Sequence, residues 1–147
     1  MAAGLSLPTE NIDLFRAKLN RQHTLTEKEL TPVTWIDVPM PVSYASKKLV
    51  EQLRVLEPFG KGNEKPVFAD RKLTVRSANM IGKNKNVLKM QLEDTQGHVV
   101  DAIQFKVEEE DMPLRGKEIS IVYYPDINEF RGNQTLQFIV QEWCYTT

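Results

Sequence analysis

The amino-acid sequence predicts a mainly β protein with an α-helical N-terminal region. Three observations carry that expectation. Leu88, Met90 and Leu92 alternate with Lys89, Gln91 and Glu93, the period of a half-buried antiparallel strand. From residue 66 to 145 the chain reads as strand, turn, strand throughout. The strongest helix signal stops before that stretch, at Glu57-Pro58. With 147 residues, 41% hydrophobic and 27% charged, the chain can bury a core without disulfides or metal. Cys144 is the only cysteine, so no intrachain disulfide forms, which is compatible with a reducing cytosol. The start Met1-Ala2-Ala3-Gly4-Leu5-Ser6-Leu7-Pro8 lacks the basic n-region and long apolar run of a signal peptide, and nowhere do about twenty apolar residues run together. A cytoplasmic protein with no membrane partner is expected.

In chain order, the segment from Thr9 onward predicts a short amphipathic helix. Ile12, Phe15 and Leu19 form its apolar stripe, Thr9 is its expected N-cap, and Asp13 and Arg16 to Arg21 are distributed to suit the helix dipole. Thr26 with Glu29 three residues later matches a capping box. Val33 to Val38 suits an extended segment that Pro39 and Pro41 end. Ser43 to Leu56 predicts a helix through Leu49, Val50, Leu53 and Leu56, with Lys47 facing Glu51 at i,i+4. The loop Phe59 to Pro66 has two glycines but no flanking strand and helix of the kind a phosphate cradle needs.

Five strands follow. Pro66 to Ile81 is expected to kink near Ala69-Asp70-Arg71, with Leu73 and Val75 facing inward; Lys83 to Glu93 and His98 to Lys106 form a hairpin. The imperfect alternation of Val99 to Phe105 predicts a bulge or a strand covered on both faces. Glu108 to Leu114 is an acidic turn or short helix. Glu118 to Tyr124 and Gln134 to Trp143 are the last strands, with Pro125 to Asn133 expected as a loop between them. Three strands, an interruption and two strands is the order of a five-stranded OB-type barrel, which closes its own edges.

Charge points to where such a barrel would act. From Lys61 to Lys89 eight Lys or Arg face two carboxylates, a net +6; from Glu93 to Asp111 seven carboxylates face Lys106, a net -6. The whole-chain charge of -1 hides this asymmetry. The expected polyanion contacts are Lys83, Lys85 and Lys89, with Asn84, Asn86 and Gln91 as short polar neighbours, and with Arg76 and Arg131 converging on the same side. A solvated surface is the ordinary role of any one of these lysines, and only the set argues for binding. Aromatic platforms for bases would come from Phe130, set in a polar loop, and from Tyr124, although the alternation leaves open whether Tyr123 or Tyr124 points out. Phe105 and Trp143 are expected in the core. His23 and His98 belong to no metal-ligand spacing, and the acidic residues Asp101, Glu108 to Asp111 and Asp126 read as solvated turns rather than a two-metal site. No catalytic or metal residue is expected.

The run Leu56-Glu57-Pro58-Phe59-Gly60-Lys61-Gly62-Asn63-Glu64-Lys65-Pro66-Val67-Phe68 resembles the segment leading into the OB domain of RecJ, the bacterial single-stranded-DNA-specific 5′-to-3′ exonuclease family. The likeness continues through Gly82-Lys83, Leu88-Lys89, Asp101 to Phe105, Asn128 to Gly132 and Leu136-Gln137. Ala2 to Leu7 looks like the segment just after the family's Gly-Gly-His motif. Phe130 stands where the family often has tryptophan, keeping the ring and losing the indole donor. The resemblance implies that residues 1–31 are the last helical part of a preceding core domain, 32–65 a connector strand and helix, and 66–147 an OB-fold nucleic-acid-binding domain. Family chemistry lies in upstream domains whose aspartates and histidines, an Asp-His-His motif among them, hold two divalent metals. None of those residues is present. The resemblance therefore implies a non-catalytic fragment without a cofactor of its own, with Mg or Mn in the missing core. Its partners would be single-stranded DNA and the missing upstream catalytic domains of a DNA repair and recombination enzyme. The competing expectation is a protein-interaction or structural barrel that touches no DNA and exposes an apolar patch instead.

Overall fold

The computed structural model describes residues 4–146. Ala2 and Ala3, part of the N-terminal resemblance, and Thr147, the end of the expected third domain, lie outside the described residues. The chain divides between Thr34 and Trp35 into two compact units.

The first unit contains α1 (Ile12–Gln22) and the single-turn α2 (Glu27–Leu30). Thr9 opens a 3-10 turn rather than capping α1, whose N-cap position, Asn11, makes no side-chain cap bond. The capping box of α2 is present: Thr26 Oγ1 accepts from the Glu29 N–H, and Glu29 accepts from the Thr26 N–H at 2.8 Å. Those hydrogen bonds from Thr26, backbone first, hold the Glu29 carboxyl below its usual range. Neither helix has a buried residue.

The second unit is built on β1 (Val38–Pro39), α3 (Lys47–Leu53), β2 (Phe68–Ile81), β3 (Val87–Glu93), β4 (Val99–Phe105), β5 (Glu118–Phe130) and β6 (Asn133–Tyr145). Pairing runs β2-β3-β4-β6-β5 and returns from β5 to β2, so five strands close into a ring, with β4 and β6 parallel and every other ring pair antiparallel. That is the OB-type arrangement. Short β1 lies parallel to the start of β2. Inside the ring, Leu73 and Val75 of β2 meet Leu88, Met90 and Leu92 of β3, Ala102 of β4, Ile119, Ile121 and Tyr123 of β5, and Phe138 and Val140 of β6. The buried Tyr123 hydroxyl donates to the Met40 carbonyl at 2.8 Å; burial, then the neighbouring Asp70 charge, pushes this phenol up, so it stays a donor. Asp70 in turn accepts from the Val42 N–H at 2.7 Å, which fastens the connector to the ring.

Several expectations are corrected here. Residues 43–56 do not form one helix: Ser46 caps a seven-residue α3, with 3-10 turns at Val42–Tyr44 and Arg54–Leu56 on either side. Lys47 donates to the Gln134 carbonyl rather than turning to Glu51. The kink in β2 is a bulge in its pairing with β5 between Asp70 and Leu73, where Lys72 has φ of 60°, and a second bulge opposite β3 contains Arg76. The pairing of β4 with β3 has no bulge. Residues 125–133 are not a loop, since β5 and β6 continue to a two-residue turn at Arg131-Gly132 with φ of 51° and 78°. Phe105 is not in the core but 55% exposed, and Trp143 is half-buried against the core's edge.

Candidate nucleic-acid interface

The register fixes which side chains share the outer face of the ring. Along β3 the buried Leu88, Met90 and Leu92 point in, so Val87, Lys89, Gln91 and Glu93 point out. Their cross-strand partners extend that face in rows. Ile81, Val87 and Phe105 form one row; Asn79, Lys89 and Ile103 form the next; Ser77, Gln91 and Asp101 form a third. Through the parallel β4–β6 pairing the Lys89 row continues to Ile139 and then to Tyr124.

On this face β4 departs from the usual sorting of residues. Its inward parity holds Val100, the small Ala102 opposite Met90, and Gln104, while Val99, Ile103 and the bulky Phe105 take the outward parity with Asp101. The apolar-inside rule therefore points to the wrong side of this strand, which is why it puts Phe105 in the core. The exposed Phe105 ring next to Val87 and the basic turn is the candidate surface feature that rule misses; strict pairing of Phe105 with Val87, the residue just after the lysine turn, is the signal that finds it.

The turn at 82–86 leaves the ring at the end of β2. Gly82 (φ 86°) and Lys85 (φ 47°) shape it, the Lys85 N–H bonds the Gly82 carbonyl, and the Val107 N–H donates to the Asn86 carbonyl. Lys83, Asn84, Lys85 and Asn86 are all exposed on it. Lys89 stands on the outer face below that turn. Gln91 donates to Asp101 Oδ1 at 3.4 Å.

Not every expected contact converges. Arg76 sits in the bulge and is paired with Glu93, whose hydrogen bond and charge raise the guanidinium pKa further. Arg131 lies at the tip of the β5–β6 ribbon. Because β6 runs parallel to β4, its start lies toward the end of the ring opposite the 82–86 turn, so Lys83 and Lys85 are at one end and Arg131 at the other. Phe130 at that tip is 63% exposed, with the Arg131 guanidinium 5.1 Å from its ring centre. Tyr124, Asp126, Asn128 and Phe130 share one face of β5 by parity. Of the tyrosine pair, Tyr123 points in and Tyr124 out. Lys65 Nζ lies 4.0 Å from the Tyr124 ring centre, and burial, then Asp126, pushes the Tyr124 phenol up.

Asp101 is exposed, and among the described residues its side chain has Gln91 as its one hydrogen-bond partner. Among the described residues no group of three or more His, Cys, Asp or Glu is placed to hold a metal ion, and no helix is long and apolar enough to cross a membrane. Cys144 is a free, exposed thiol.

Residues 36–142 match the family model described as the RecJ OB domain. Over 144 residues the chain is 36% identical to a single-stranded-DNA-specific exonuclease RecJ of Haemophilus influenzae, covering 95% of this chain and 25% of that one. A Bacillus subtilis protein of the same name is 30% identical over 145 residues, covering 97% of this chain and 18% of that one. The chain thus spans a quarter or less of the length of these relatives. In structure it is similar to RecJ of Thermus thermophilus in complex with Mn2+, with a TM-score of 0.66 at 16% identity, covering 97% of this chain and 20% of that one. At that identity the likeness speaks for the fold. The chain belongs to the RecJ OB domain family.

Proposed function

We propose, from membership of the RecJ OB domain family, that this chain is a non-catalytic module that holds single-stranded DNA within a larger exonuclease. The observation that carries the reading is the outer face of β3 and β4, where Lys89 stands between an exposed aromatic, Phe105, and a polar row beginning at Gln91, directly below the exposed lysines of the 82–86 turn. Cations on one track neutralise phosphates, and an aromatic on the same track offers a π-face to any base, so the grip does not depend on sequence. Phe130 with Arg131 provides a second such pair at the far end of the face, while Arg76, held by Glu93, contributes least. Asn84, Asn86 and Gln91 reach sugars or base edges.

In this reading the cutting belongs to the remainder of the parent protein, where divalent metal, Mg or Mn, would be held. Residues 1–31 would close that core and 32–65 connect it to the OB module, in a cytoplasmic enzyme of DNA repair and recombination.

One observation favours the alternative of a protein-contact module: Trp35 (84% exposed), Val55 (83%) and Tyr44 are large apolar side chains left in solvent. Fluorescence anisotropy with mixed-sequence oligonucleotides separates the two. The DNA reading expects affinity to fall steeply with salt and little with base sequence. Replacing Lys83, Lys85 and Lys89 together by alanine should flatten the log–log salt dependence by about 2, at roughly 0.7 per phosphate contact. Absence of binding at low salt would leave the protein-contact reading.

A further inference from the structure

Lys65 differs from every other cation among the described residues: it alone is half-buried, while all the described Arg and the remaining Lys are exposed. It comes from the glycine loop that precedes β2, and its ammonium lies 4.0 Å from the centre of the Tyr124 ring and 5.6 Å from that of Phe59. No described carboxylate forms an ion pair with it. A partly desolvated ammonium sits here against two ring faces, with Glu57 and Asp126 lining the same cleft beyond ion-pair distance.

Its location gives that arrangement a use. Tyr124 ends the outer-face row that begins with Lys89 and crosses Ile103 and Ile139. Both isoleucines belong to the outward parity, alternating with Ala102, Phe138 and Val140 of the core. Three strand spacings separate Lys89 from Tyr124, about 14 Å at 4.7–4.9 Å each. The row therefore runs from Lys89 through half-buried Ile103 and buried Ile139 to Tyr124, with a lysine at each end, one on β3 and one seated on β5. The cleft behind Lys65, lined by Arg54, Glu57, Pro125 and Asp126, has a volume of about 40 Å³. That holds water but no phosphate, and Glu57 and Asp126 would repel an anion inside it. An anion meeting Lys65 therefore does so from solvent, outside the cleft.

We infer that Lys65 is a phosphate-binding residue at the β5 end of this row and that Tyr124 is its positioning residue, its ring occupied by the ammonium rather than by a base. The inference rests on the single-strand reading and adds a contact outside the basic stretch of β3 and its turn. The Lys65 ammonium meets one backbone phosphate while the strand continues toward Ile103 and Lys89.

The test uses the full chain and a fluorescein-labelled oligodeoxythymidine of about 16 nucleotides, the upper site size of one OB module. Lys65→Gln should weaken binding about three- to tenfold at low salt and reduce the salt slope by about 0.7. Lys65→Arg should restore both. Tyr124→Phe, which keeps the ring, should bind as the parent does; Tyr124→Leu should match Lys65→Gln, and the double variant should be no worse than either. Thermal melts check that each variant is folded, and the conservative pair Lys65→Arg and Tyr124→Phe keeps the comparison valid if Tyr124→Leu does not fold. Unchanged affinity and slope for Lys65→Gln, in a chain whose binding is lost on replacing Lys83, Lys85 and Lys89, would overturn the inference and leave Lys65 as a fastener of the glycine loop. If the parent chain fails to bind, the single-strand reading falls first and takes this contact with it.

Discussion

The ring contains two hairpins of opposite character. In β2–β3 the pairing of β3 with β4 runs the whole way to Val87 and Phe105, so although β2 has no β5 partner beyond Thr74, the lysine turn rests on three strands. In β5–β6 the pairing with β2 ends at Tyr123 and that with β4 begins at Phe138, so the five pairs from Asp126–Gln137 to Phe130–Asn133 form a ribbon without a third strand. Two-stranded ribbons alone are marginal in water. This one is braced by the Lys47 contact to the Gln134 carbonyl, by Gln134 Nε2 donating to Glu129 Oε2 at 3.2 Å, and by α3 against β5. The lesson is that the same fold delivers charge on a stiff support at one end and an aromatic-cation pair on a projecting arm at the other. A bound strand would be gripped by lysines at the first and clasped at the second.

The largest expected effect tests whether both hairpins share one core. Leu88→Ala in the first and Phe138→Ala in the second each open the ring interior, and each should cost about 3–5 kcal/mol in urea unfolding. A much smaller loss for Phe138→Ala would mean that the second hairpin is not integral to the ring. Next come the two exposed rings. Phe105→Ala and Phe130→Ala should each weaken oligonucleotide binding by about 1–3 kcal/mol, the worth of one stacked base, with little change in melting temperature. If only Phe105 matters, the ribbon tip lies off the DNA path.

Smaller still is the effect of the tip's geometry. Gly132 has φ of 78°, where a side chain costs about 1–2 kcal/mol, so Gly132→Val should speed amide exchange in residues 126–137 while leaving β3 protected. The matching exchange Lys85→Gly relaxes a φ of 47° and should stabilise the first turn slightly. The smallest effect belongs to the turn between β3 and β4. Burial pushes the Asp94 carboxyl up, but the backbone N–H and ring of His98 and the backbone N–H of Gln96 outweigh it, and the pKa lies below its ordinary 3.8. A lowered carboxyl stabilises the fold above its unfolded pKa. That contribution should therefore be intact above about pH 4 and fade as pH falls through the folded value, and Asp94→Asn should flatten the acid limb of a stability–pH curve.

Legibility in the sequence follows the same division. The β3 alternation, the inward Leu73 and Val75, the basic turn and the capping box at Thr26 are all readable because each is a local signal that the tertiary structure leaves in place. The ribbon is not, since Pro125, Asp126, Asn128 and Gly132 are turn formers by composition. Pro125 is tolerated because β5 has no β2 partner beyond Tyr123, so no third strand needs the missing N–H. Nor can local alternation show that β4 turns Ile103 and Phe105 outward, because its parity is set by fitting Ala102 against Met90 inside a closed ring. The exposed face of Phe105 and the seat of Lys65 both arise from cross-strand register, which no single stretch of sequence contains.

The most direct test of the central claim is a titration of the isotope-labelled chain with oligodeoxythymidine, followed through backbone amide shifts. Binding along the outer face predicts saturable shifts in residues 82–91, at Ile103 to Phe105, at Tyr124 and on the ribbon from Asp126 to Arg131, with the surroundings of Trp35, Tyr44 and Val55 unmoved. Shifts confined to those connector residues, or none at low salt, would contradict it.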